Sequence, residues 1–201
     1  TFAVDDLQLA DSTCVAAPAS LTAWWTGNGT TDGLTQPGVG GAAENGAGYA
    51  TGKVGQAFSL DGVDDRVRFA DAPSQHSEHL SVATWVSFNA GTVALPFDRE
   101  QVILYKRNDT PYFQWDGYSG AYMLWKNYDN SLRFTVTTQN NGSFSVATPF
   151  AVEADRFYHV AATYDGVNLR LYVDGHEYNV VAISARSNGA PIYGTDCDLG
   201  D

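Results

Sequence analysis

The sequence predicts an all-β domain whose strands close into a sandwich or a barrel. Three observations predict it. Apolar residues recur with period two, Asp-Gly pairs punctuate the runs, and no window of about eleven residues carries helical spacing. A chain of 201 residues, 44% apolar, is long enough to bury the core that such a fold needs.

The elements follow in order. Over 82–88, Val82, Thr84, Val86 and Phe88 alternate with Ala83, Trp85 and Ser87. Over 131–137, Leu132, Phe134 and Val136 alternate with Arg133, Thr135 and Thr137. Over 168–174, Leu169, Leu171 and Val173 alternate with Arg170, Tyr172 and Asp174. Each pattern is that of a half-buried antiparallel strand. Asp165-Gly166 and Asp174-Gly175 are hairpin signals that join 157–164, 168–173 and 177–183 into a meander. By contrast, 26–52 is rich in Gly, Thr and Asn and is expected to be a long surface loop. The stretch 107–120 mixes turn residues with aromatics and is also expected to loop. Trp24, Trp25 and Trp85 are assigned to the core by residue type.

Charge narrows the function. Eleven basic residues against twenty-three acids give a net charge of −12. Such a surface repels phosphate backbones, so nucleic acid and anionic membranes are not expected partners. No run reaches the ~18 apolar residues of a membrane span. The acids are eighteen Asp and five Glu. Asp favours turns and short-reach oxygen ligation, which points to loops and to Ca²⁺ as a cofactor. Cys14 and Cys197 cannot supply a zinc site alone; in an exported protein one disulfide is their expected state, and two thiols are the alternative.

A set of motifs resembles a known family. Trp24-Trp25, the run Gly52-Lys53-Val54-Gly55-Gln56-Ala57-Phe58-Ser59-Leu60-Asp61-Gly62-Val63-Asp64-Asp65, Val82-Ala83-Thr84-Trp85-Val86, the run from Phe157 to Gly166, and Leu169-Arg170-Leu171-Tyr172-Val173-Asp174-Gly175 occur in the order seen in concanavalin A-like, laminin-G-type domains of bacterial extracellular proteins. The resemblance spans about residues 21–175. It implies a two-sheet antiparallel jelly roll, a secreted or cell-surface location, and a structural Ca²⁺. Carried over by position, the metal ligands would be Asp32, Asp61 and Asp64. Asp5 or Asp6 would join them if the N-terminal strand closes this sandwich. The competing reading of Asp61 and Asp64 is a tight turn shaped by side-chain-to-backbone hydrogen bonds.

Two departures from the family pattern set the expected boundaries. Residues 15–201 form the domain, which stops short of the family's closing acidic strand. Residues 1–14 form a strand and linker. That strand would complete this sandwich, complete a neighbouring copy's, or end a preceding domain.

Catalytic patterns fail. Glycoside hydrolysis in related jelly rolls needs Glu-x-Asp-x-Glu on one strand, and the nearest matches, Asp98-Arg99-Glu100 and Glu153-Ala154-Asp155, are incomplete. Gly117-Tyr118-Ser119-Gly120-Ala121 misses the nucleophile elbow by one glycine. His159 lies mid-strand and is expected to be structural. The chain is therefore expected not to be an enzyme. Sugar recognition needs aromatic faces beside amide and carboxylate groups, and Tyr112, Trp115 and Tyr118, with Gln114 and Asp116, offer them. Aromatic packing in a structured hairpin is the alternative use of that stretch. The expected function is a non-catalytic module binding a glycan or cell-surface polysaccharide. The alternative is a structural subunit of an extracellular assembly, or filament, in which the N-terminal strand docks into the next copy.

Overall fold

A computed structural model describes residues 19–35, 40–91, 96–107, 120–138, 142–183 and 197–199. The strands are β1 (Ala42–Glu44), β2 (Gly48–Thr51), β3 (Gln56–Ser59), β4 (Arg66–Phe69), β5 (Leu80–Ser87), β6 (Gln101–Arg107), β7 (Gly120–Lys126), β8 (Leu132–Thr138), β9 (Gly142–Ala147), β10 (Phe157–Tyr164), β11 (Asn168–Val173), β12 (His176–Ala182) and β13 (Cys197–Leu199). Among the described residues, helical structure is confined to one 3-10 turn at Pro73–Gln75.

The strands form a seven-stranded sheet in the order β1-β4-β13-β6-β7-β8-β9, a four-stranded sheet β12-β11-β10-β5, and the hairpin β2-β3. All pairings are antiparallel. Period two decides which side chains meet. Val67, Phe69, Leu104, Tyr122, Leu124, Phe134 and Val136 of the larger sheet pack against Tyr158, Val160, Ala162, Tyr164, Leu169, Leu171 and Val173 of the smaller one. Each such side chain contributes roughly 1.5–3 kcal/mol on leaving water. The all-β sandwich expected from the sequence is therefore what the chain adopts.

The meander forms where the Asp-Gly pairs place it. Asp174 and Gly175 both take positive φ, 50° and 82°, the primed-turn geometry that matches strand twist. Asp165 Oδ1 accepts the N–H groups of Val167 and Asn168, which closes the other turn.

Four expectations change. The Gly-rich stretch 26–52 is not wholly loop, since it contains β1 and β2. Short, Gly-rich strands carry too few side chains to show a period. Gly41 lets β1 approach, because a Cβ there would stand 2.6 Å from the Phe69 ring. Trp85 and Trp24 are not core residues: they are 43% and 44% exposed. Trp25 is half-buried and stacks on Phe69, centroids 4.0 Å apart. Finally, the C-terminal tail contributes β13, which sits between β4 and β6. Residues 1–14, including Asp6 and Cys14, lie outside the described residues, and so does the Cys14–Cys197 pairing.

Two buried lysines fasten loops to the sandwich. Lys126 Nζ donates to Phe97 O at 2.5 Å, Arg99 O at 2.6 Å and Asn130 Oδ1 at 2.9 Å, satisfying all three of its protons. Burial nonetheless lowers its pKa to about 8. Lys106 Nζ donates to Asp71 and, at 3.2 Å, to Gln75 Oε1.

Candidate glycan face and acidic turn

Strand register fixes what the outer face of the seven-stranded sheet presents. Val67 and Phe69 point into the core, so Arg66 and Arg68 point out. Reading across the paired strands, Arg68 is opposite Asp198, Asp198 opposite Tyr105, Tyr105 opposite Met123, Met123 opposite Thr135, and Thr135 opposite Ser145. One row of mainly polar side chains therefore crosses six strands.

Hydrogen bonds confirm that the row shares one face. Thr135 Oγ1 and Ser145 Oγ lie 2.6 Å apart, Trp125 Nε1 donates to Thr135 Oγ1 at 3.3 Å, and Thr137 Oγ1 donates to Ser143 Oγ at 3.4 Å. At the β1 end, Glu44 Oε2 accepts from Arg66 Nε at 2.6 Å and Arg68 Nη2 at 3.1 Å. Arg68 Nε in turn lies 3.7 Å from Asp198 Oδ1. Asp198 is buried, as are Met123, Trp125, Thr135 and Thr137, whereas Ser143 and Ser145 are exposed. The Arg133 guanidinium sits over the Trp125 ring, 5.5 Å from its centroid.

This arrangement suits binding better than bond cleavage. A glycosidase needs a carboxylic acid that carries a proton beside a second carboxylate. Here an arginine stands between Glu44 and Asp198, 3.1 and 3.7 Å from their carboxylate oxygens. Burial pushes the Glu100 carboxyl up; it immediately precedes β6, and Tyr128 donates to it. His159 is structural in setting: its N–H donates to Asp174 Oδ1 at 2.9 Å and its ring packs on Trp85.

A second feature is the turn between β3 and β4. Asp61 Oδ1 accepts the N–H groups of Val63 at 2.8 Å and Asp64 at 3.4 Å. Asp65 Oδ2 accepts the Asp61 N–H at 2.9 Å. The Val63 N–H is the main reason the Asp61 carboxyl titrates below its ordinary range. One oxygen of each of Asp61, Asp64 and Asp65 falls within 4.8 Å of the others. Gln101 Nε2 lies 3.1 Å from where a Gly62 Cβ would be, and Gln101 Oε1 is a buried acceptor that receives no hydrogen bond among the described residues. Oxygen-only donors in this number can hold a hard cation.

The structure thus brings together Asp61 and Asp64, as expected, and adds Asp65. Asp32 is not in this group; it is exposed and engages its own loop through Thr30 Oγ1 at 2.9 Å. Tyr112, Trp115 and Tyr118 lie outside the described residues. Sequence reading missed Arg68, Asp198, Thr135 and Ser145 as partners, because only strand register aligns residues so far apart.

With the geometry in place, the family is clear. The chain belongs to the concanavalin A-like lectin/glucanases superfamily, whose Laminin_G_3 model matches residues 61–196. No curated protein sequence matches. Among solved structures, the botulinum neurotoxin serotype G binding domain is similar with TM-score 0.60 and 14% identity, over 84% of this chain and 40% of that one. Domain 4 of AbnA, a GH43 extracellular arabinanase from Geobacillus stearothermophilus, solved with arabinotriose, gives TM-score 0.57 and 18% identity, over 89% of this chain and 90% of that one. The binding domain of Paraclostridial Mosquitocidal Protein 1 gives TM-score 0.57 and 10% identity, over 84% and 45%. The chain thus spans less than half the length of either toxin domain. At these identities the likeness is one of fold.

Proposed function

We propose that this chain is a non-catalytic carbohydrate-binding module of an exported protein, stabilised by Ca²⁺. The observation that carries the reading is the polar row from Arg68 to Ser145 on the outer face of the larger sheet. Hydroxyls and a paired Arg–Asp set can exchange hydrogen bonds with sugar hydroxyls, and the half-buried Tyr105 supplies ring surface beside them. Support also comes from the arabinanase domain, which matches nearly end to end and was solved with an oligosaccharide. Tyr112, Trp115 and Tyr118 belong to the chain between β6 and β7, so its two ends leave from this same sheet, which favours them as aromatic contacts.

Calcium would be held by Asp61, Asp64 and Asp65, with Gln101 Oε1 as a neutral donor. Its role there is to neutralise three adjoining carboxylates and fix the β3–β4 turn.

Affinity electrophoresis and calorimetry on neutral and acidic polysaccharides test the glycan reading. Ser145→Arg, a substitution at an exposed position, is expected to abolish retention, while the melting temperature reads separately the hydrogen bond to Thr135 that it removes. Retention unchanged by Ser145→Arg and by Tyr105→Ala would overturn the assignment of this face. For the metal, Ca²⁺ at a hundredfold excess over Kd is expected to add about 2.7 kcal/mol of stability. Asp64→Asn is expected to remove that gain, and no calcium-dependent shift in the wild type would sink the metal site.

A further inference from the structure

The opposite side of the sandwich carries an aromatic feature that the glycan face does not explain. On the four-stranded sheet, β10 buries Tyr158, Val160, Ala162 and Tyr164, so Phe157, His159, Ala161 and Thr163 point outward. On the paired β5, Ser81, Ala83 and Trp85 share that outward face. Trp85 is opposite His159, with ring centroids 5.1 Å apart and planes at 60°. Lys53, from the turn between β2 and β3, places its ammonium 5.2 Å from the Trp85 ring centroid.

Beside this wall the surface drops. The next rungs on β5 and β10 are Ala83 with Ala161, then Ser81 with Thr163, all short side chains. Along the third strand, Tyr172 and Arg170 rise again, opposite Ala161 and Thr163. The Tyr172 hydroxyl is bonded to Glu177 and Arg170 to Asp165. The result is a ledge with a ring at its end, a floor of small side chains and a polar rim.

We infer that this ledge is a second glycan-binding surface, on which the exposed Trp85 ring stacks against a sugar of a neutral polysaccharide. Exposure of 43% leaves the indole as the largest outward apolar group on these two strands. Aromatic rings bind the C–H faces of sugars, and the hydroxyls around them need donors. Lys53 makes no ion pair, and the His159 ring no hydrogen bond, among the described residues, so both hold donors uncommitted beside the ring. Charge selects a neutral ligand, because the rim carries Asp165, Asp174 and Glu177 and the chain as a whole is −12. A protein partner fits less well: one indole and two alanine methyls fall short of the apolar centre of a standard interface of roughly 800 Å² per side.

The inference rests on the glycan-module reading for its ligand class, but not on the same face, and the test separates the two. Wild type, Trp85→Ala, Ala83→Arg and Ser145→Arg are each titrated with linear arabinan, xylan and mixed-linkage β-glucan. Ala83→Arg obstructs the floor while keeping the ring, so it serves where Trp85→Ala perturbs the strand. The expected result is binding to one polymer that weakens about tenfold in both ledge variants, the equivalent of about 1.4 kcal/mol. Ledge variants that bind like the wild type, with Ser145→Arg defective, overturn the ledge and leave the glycan module intact. A wild type that binds none of the three overturns both.

Discussion

The two sheets obey one alternation rule and end with opposite outer faces. On the four-stranded sheet, outward side chains of β5 and β10 are half-buried or exposed, and Trp85 stands in solvent. On the seven-stranded sheet, the outward Met123, Trp125, Thr135 and Thr137 are as buried as the core. β8 is buried at every position but Arg133. A sheet that hides its polar outer groups has to satisfy them internally, which is what the Trp125–Thr135–Ser145 hydrogen bonds accomplish. The difference separates a buried polar row from an exposed tryptophan on the same scaffold.

The largest test of that contrast compares the two tryptophans. Trp125→Ala is expected to cost about 3–5 kcal/mol, because it empties a buried site and removes the indole N–H bond to Thr135 Oγ1. Trp85→Ala is expected to cost about 1 kcal/mol or less, since its ring is half in water. Urea melts of both decide it, and equal losses would mean the two outer faces are alike.

Next in size is the edge of the larger sheet. Gly41→Ala sets a methyl 2.6 Å from the Phe69 ring, with Trp25 stacked on that ring. The expected loss is about 1–3 kcal/mol from overpacking. Hydrogen exchange confined to β1 and β4 would locate the damage; an unchanged melt would show that β1 is free to shift.

Lys126 sharpens the comparison through pH. Its folded pKa of about 8 lies below the ordinary 10.5. Between those values the unfolded chain holds a proton that the folded chain has lost, so this group makes stability rise with pH across that window. Lys126→Met should remove that rise. A wild-type stability flat from pH 8 to 10.5 would show that the carbonyls of Phe97 and Arg99 keep the ammonium charged against its burial.

Much of this was legible in the chain, and the gaps have physical causes. The meander from Phe157 to Ala182 could be read because its period is unbroken and Asp-Gly marks both turns. Trp85 is the instructive error: the alternation already grouped it with Ala83 and Ser87, away from Val82 and Val86, yet its type suggested the core. Period outranks residue type when the two disagree. β1 and β13 have three residues each, too few for any period to show. Asp61 and Asp64 were legible because they are local to one turn. The row from Arg68 to Ser145 was not, since it exists only once six strands have taken their order.

The smallest expected effect concerns the hairpin turns themselves, where the two sheets use the same device. In the larger sheet Asp129 accepts from Ser131 and pairs with Arg133 at 3.1 Å; in the smaller, Asp165 accepts from Asn168 and pairs with Arg170 at 2.5 Å. The Ser131 hydroxyl and N–H hold the Asp129 pKa at about 2, and the Arg170 guanidinium holds Asp165 well below the usual carboxylate range. A depressed folded pKa contributes stability that is complete above the unfolded value of 3.8 and is lost as pH falls toward 2. The Asp129 side chain is 58% exposed, so solvent screening trims the contribution to a few tenths of a kcal/mol. Asp129→Asn should therefore flatten the acid limb of the stability curve slightly between pH 4 and 2, and Asp165→Asn should flatten it more. The reverse order would mean that turn rigidity in the larger sheet, rather than the arginine partner in the smaller, sets the strength of these caps.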